Sequence, residues 1–97
     1  MAELIAVGAT ETPSAEFVLA DGAATIVLLK PASGATLALP SDAAADIQMK
    51  TSDSGWVGML PKLTITEPAR RVYGPGTFRV VRRAVASPGS YGVDRTP

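Results

Sequence analysis

The chain is expected to be all-β, a small antiparallel β-sandwich or barrel of about seven to eight short strands. Three observations predict it. Apolar and polar residues alternate in short runs, the period of a strand buried on one face. Clusters of Gly, Pro, Asp and Ser interrupt those runs at close intervals, as they do in sandwiches and barrels. No long amphipathic helical period and no internal repeat of fixed length is present. Ninety-seven residues make one domain, 1–97, with residues 1–14 read as an N-terminal arm and 84–97 as a C-terminal tail.

Glu16 to Ala20 alternates, with Phe17 and Leu19 on one face, and Asp21-Gly22 then reads as the turn of a two-residue hairpin. Ala23 to Leu29 is the returning strand. Its run Thr25-Ile26-Val27-Leu28-Leu29 is apolar on both faces, which predicts a central strand or one whose outer face meets another subunit. Lys30 to Gly34 is a turn, because Pro31 cannot donate to a ladder. Ala35 to Leu39 alternates again, and Ser41-Asp42-Ala43-Ala44-Ala45 offers an N-cap before helix formers, enough for one helical turn.

Asp46 to Thr51 sets Ile47, Met49 and Thr51 on one face and Gln48 and Lys50 on the other. Ser52-Asp53-Ser54-Gly55 is turn chemistry, so Trp56 to Leu60 is expected to return as its hairpin partner, stopping at Pro61. Leu63 to Thr66 is a further strand, rich in β-branched residues. Arg70 to Tyr73, the turn Gly74-Pro75-Gly76 and Thr77 to Arg82 follow, with Phe78 and Val80 sharing one face and Arg79 and Val81 the other. The tail holds two Gly and two Pro; with Tyr91 and Val93 as its anchors, taken alone it is expected to fray.

A domain of this size buries roughly 60–65% of its unfolded surface, so its core is thin. Small domains gain support from disulfides, a metal or a partner subunit, and the chain has no Cys and no His. Disulfides and the usual zinc sites are thereby excluded, which leaves a partner. With 46% apolar residues and zero net charge, association is the expected tendency. Glu3, with no base ahead of the short apolar stretch, does not make a secretory leader, and no apolar run reaches the ~18 residues of a membrane span. Synthesis in a cytoplasm and no membrane partner are therefore expected.

The net charge conceals an asymmetry. From Met1 to Asp53, seven acids (Glu3, Glu11, Glu16, Asp21, Asp42, Asp46 and Asp53) stand against Lys30 and Lys50, a balance of −5. From Ser54 to Pro97 the balance is +5. The two halves either neutralise each other inside one fold or create a bipolar surface suited to lattice contacts.

Catalysis finds little material here. The commonest general base and the most nucleophilic side chain are both missing, and the acids sit largely in turns or at exposed alternate positions. Gly74-Pro75-Gly76 lacks the following Lys and Ser/Thr of a phosphate loop, and Asp42 and Asp46 lack the spacing of a Ca²⁺ loop. No enzyme, cofactor or metal is expected.

The densest charge cluster is Arg79, Arg82 and Arg83, with Arg70 and Arg71 nearby in sequence. It reads either as a strand guarded by its charges or as a patch for a partner's carboxylates. A pI near 6.1 and few aromatics do not suit a nucleic-acid partner. Trp56, Tyr73 and Phe78 are read as core or interface anchors, with a sugar-stacking platform as the alternative.

The segment Ile47-Gln48-Met49, the turn Ser52-Asp53-Ser54-Gly55-Trp56, the run Tyr73-Gly74-Pro75-Gly76-Thr77-Phe78-Arg79-Val80-Val81-Arg82-Arg83 and the closing Tyr91-Gly92-Val93-Asp94 together resemble small virion proteins of tailed bacteriophages. The likeness spans about half the chain, Asp46 to Asp94. It implies a capsid decoration, or cement, protein: a homo-oligomer, dimer or trimer, that binds the major capsid protein on the capsid surface of the virion and stabilises the shell. On that reading Arg79, Arg82 and Arg83 are expected to face the capsid, and Val27, Leu29 and Trp56 to make subunit contacts. The alternative is a carbohydrate- or receptor-binding β module of a phage tail or fibre.

Overall fold

The structure is a computed structural model that describes residues 2–32, 39–86 and 89–96. Among the described residues, alternating apolar side chains form nine strands and no helix: β1 (Ala2–Gly8), β2 (Thr12–Pro13), β3 (Phe17–Leu19), β4 (Ala24–Pro31), β5 (Ala44–Lys50), β6 (Trp56–Thr64), β7 (Ala69–Tyr73), β8 (Gly76–Arg82) and β9 (Tyr91–Arg95). They build two antiparallel sheets. The first is ordered β1-β9-β4-β7; in the second, β8 lies between β5 and the successive short strands β2 and β3, and β6 closes the far side. The expected all-β class holds, and two separate sheets around one core make it a β-sandwich rather than a barrel.

Parity explains the core. Val27 and Leu29 on β4, Val93 on β9 and Val72 on β7 point inward from the first sheet, and Phe17, Ala45, Ile47, Leu63, Phe78 and Val80 meet them from the second. The Phe17 and Phe78 rings, directly opposite in register, stack with centroids 5.9 Å apart. On β4 the two-sided apolar run places Ile26 and Leu28 outward, half-buried.

Asp21-Gly22 forms a tight turn, with Gly22 at φ 82° and the Ala23 N–H bonded to the Ala20 carbonyl, but it is not a hairpin. It carries the chain from β3 in one sheet to β4 in the other. The turn 74–76 makes the reverse crossing, from β7 to β8, so the pairs β3–β8 and β4–β7 form one antiparallel ribbon folded over at its middle. The two corners abut: the Gly74 N–H bonds to the Ala23 carbonyl at 2.9 Å, and a Cβ on Gly74 would fall 2.2 Å from the Ala20 carbonyl oxygen. Burial of Phe17, Leu19 and Phe78 against the first sheet overrides the local hairpin preference of Asp-Gly.

The β5–β6 hairpin is as expected. The Thr51 hydroxyl accepts the Gly55 N–H at 3.0 Å and donates to the Asp53 carboxylate at 2.6 Å, which holds that carboxyl below its ordinary range. Ser54 is the one positive-φ residue other than glycine among the described residues, at φ 69°. Ser54→Gly is therefore expected to stabilise the domain by about 0.5 kcal/mol, read as a rise in the urea midpoint; an unchanged midpoint would mean that the turn holds no strain.

Several expectations are corrected. The arm 1–14 is built into both sheets as β1 and β2, with Ile5 in the core. Within the tail, β9 lies between β1 and β4, with the anchors Tyr91 and Val93 fully buried. Ser41-Asp42 turns without a helix, and β5 starts at Ala44. β6 continues past Pro61, because it is an edge strand and its register against β5 shifts between Ala45 and Ile47, where a missing donor disturbs no central ladder. Most of the strand expected over 35–39 lies outside the described residues.

Candidate interaction surface

The outer face of the second sheet collects the polar side of β5, β8 and β6. Register places Lys50 opposite Trp56 and Gln48 opposite both Gly58 and Arg79. The Arg79 guanidinium lies 4.4 Å from the centre of the Trp56 indole and donates from Nε to the Gln48 amide oxygen at 2.7 Å. The Lys50 ammonium comes within 5.8 Å of the same ring and pairs with Glu16 at 3.3 Å. A planar cation held by a second bond over an indole forms a rigid, amphipathic surface element at small entropic cost.

Around this centre lie Val18, 73% exposed beside Thr77, and half-buried Val81. Arg83 closes one side through its ion pair with Asp46 at 3.1 Å. Beyond it a shallow polar cleft of about 420 Å³ is lined by Glu11, Asp46, Gln48, Val81, Arg83 and Ala84. The result is an aromatic and aliphatic centre with a charged border.

Only part of the expected site assembles. Arg79, Arg83 and Trp56 share this face. Arg82 does not: it is 3% exposed and points between the sheets, following Phe78 and Val80 at the same parity. Its five N–H groups are all bonded, Nε and Nη2 to the Thr10 carbonyl, Nη1 to the carbonyls of Ala6 and Tyr91, and Nη2 also to the Thr12 hydroxyl. Val27 and Leu29 are core residues, and so are corrected from subunit contacts to inter-sheet packing. Arg70 and Arg71 belong to the other sheet, so the cluster seen in sequence is divided in space. Trp56, Tyr73 and Phe78 are likewise separated, Tyr73 on the outer side of the first sheet and Phe78 in the core, which removes the three-ring sugar platform.

Among the described residues, ion pairs between the halves offset little of the charge asymmetry. Of the five ion pairs among the described residues, Lys30–Glu3, Lys50–Glu16 and Arg70–Glu67 are local to one half, Lys30–Asp94 crosses with its base in the first, and Arg83–Asp46 alone joins an acid of the first half to a base of the second. Gln48 and Val18 were missed as members of the surface. Gln48 was legible from its parity with Lys50; Val18 was not, since its neighbourhood depends on pairing with β8.

The chain matches no family model, no curated protein and no solved structure.

Proposed function

We propose that this protein is a bacteriophage virion structural protein, a head decoration or cement protein that binds the shell of major capsid protein and stabilises it as a homo-oligomer. The observation that carries the reading is the Trp56–Arg79 pair with Val18 and Val81 beside it, bordered by the Lys50–Glu16 and Arg83–Asp46 ion pairs. An aromatic and Arg centre inside a polar rim is the composition of a protein-binding surface. The resemblance of residues 46–94 to small virion proteins of tailed phages supplies the kind of partner. Many copies on one shell would multiply a modest contact into large avidity.

The test is the copy number in purified virions relative to the major capsid protein. Hundreds of copies support decoration, a handful point to the tail, and absence ends the reading. In the same assay Trp56→Ala is expected to weaken capsid binding about ten-fold while the isolated domain keeps its fold. Undiminished binding by that variant would move the contact off this face.

A further inference from the structure

The two sheets have four edges, and three of them are blunted. β1 is bulged twice against β9, at Glu3/Ile5 and Ile5/Gly8. The β2/β3 edge is broken into two short pieces and contains Pro13. β6 contains Pro61 and a register shift. β7 differs: Ala69 to Tyr73 pair with Leu28 to Ala24 in unbroken register, and among the described strands β4 is its only partner. A regular, unbulged edge is a template for another strand.

We infer that β7 is a self-pairing edge, on which β7 of a second copy adds in antiparallel register centred on Val72 and joins the two first sheets across a two-fold axis. The residues of β7 fit a copy of themselves in that register. Pairing Val72 with Val72 sets Arg71 of each copy opposite Tyr73 of the other, on the outer face, and a guanidinium against a phenol ring is an attractive cross-strand pair. Both side chains are available: Tyr73 is 65% exposed and Arg71 is exposed, with no carboxylate within ion-pair distance among the described residues. The other charge on the strand is already neutralised, since Arg70 holds Glu67 at 2.6 Å. A two-fold axis is the simplest closed symmetry and gives each contact twice.

The inference rests on the homo-oligomer part of the reading above and names its surface; it does not depend on the capsid. The experiment is sedimentation equilibrium of the full chain over a wide concentration range, with amide hydrogen exchange at both extremes. The expected result is a monomer–dimer equilibrium in which the amides of residues 70–74 are slow in the dimer, whereas alternate ones become fast on dilution. Tyr73→Ala and Arg71→Ala should each raise the dimer dissociation constant roughly ten-fold, and Tyr73→Phe should leave it near wild type. A dimer that survives Tyr73→Ala with fast exchange along β7 overturns this surface and keeps the homo-oligomer. A chain that stays monomeric throughout overturns both, and a β7 dimer absent from virions overturns the capsid assignment alone.

Discussion

Arg82→Ala is expected to lower folding stability by about 3–5 kcal/mol, a large share of the roughly 5–15 kcal/mol available to a domain. The guanidinium sits between the sheets with no carboxylate in ion-pair distance among the described residues, its charge spread over carbonyl dipoles. Truncation removes the packing of the buried side chain and leaves the Tyr91 carbonyl, whose bond to Nη1 is buried, without this donor, and a buried acceptor without a donor costs about 1–3 kcal/mol. The acceptor carbonyls of Ala6, Thr10 and Tyr91 lie on β1, on the β1–β2 connection and on β9, so one side chain of β8 ties three segments of chain to the second sheet. Gly8 makes room for it, because a Cβ there would lie 2.9 Å from Nη2. Urea unfolding measures the loss, and exchange at β1 and β9 amides should show where it falls. A shift under about 1 kcal/mol would mean that the carbonyls find water instead.

Tyr91→Phe is expected to cost about 2 kcal/mol and to flatten the loss of stability in alkali. The Tyr91 hydroxyl places its single proton between the carbonyls of Ala44 and Arg83 and accepts the Ala44 N–H at 3.1 Å, pinning β9 of the first sheet to the start of β5 and the end of β8. Burial raises the phenol above its ordinary value of 10.0, against the lowering effects of the Ala44 hydrogen bond and the Arg82 charge. The unfolded phenol therefore ionises first, and above about pH 10 the native state holds the extra proton. Stability from this group is whole below that pH and declines as pH rises. The Lys30 ammonium, raised above 10.5 chiefly by its hydrogen bond to Glu3, acts in the same direction, so the variant should keep a shallower slope rather than none. Equal alkaline slopes in wild type and variant would remove Tyr91 as the source.

Local signals identified most strands but placed the chain ends poorly. Residues 1–14 and 84–97 look weak because Ile5, Tyr91 and Val93 are isolated among small, polar and turn-forming neighbours. In the fold those three are buried, since β9 lies between β1 and β4, far away in sequence. The Arg cluster illustrates the same limit. Arg79 and Arg83 face outward and Arg82 inward, as strand parity after Phe78 and Val80 requires, so that distinction was available in the sequence. That the inward Arg would find three carbonyls from other segments of the chain was not.

Alternation and turn chemistry by themselves determined that the chain is all-β, where most strands lie, and the hairpin from Asp46 to Leu60. Both depend on interactions between residues near one another along the chain. Tertiary structure alone decided that Asp21-Gly22 and Gly74-Pro75 are corners between sheets, that Val27 and Leu29 rather than Ile26 and Leu28 face the core, and that Trp56 meets Arg79. Those outcomes follow from which distant segments bury the most apolar surface together, and no short window of sequence contains that sum.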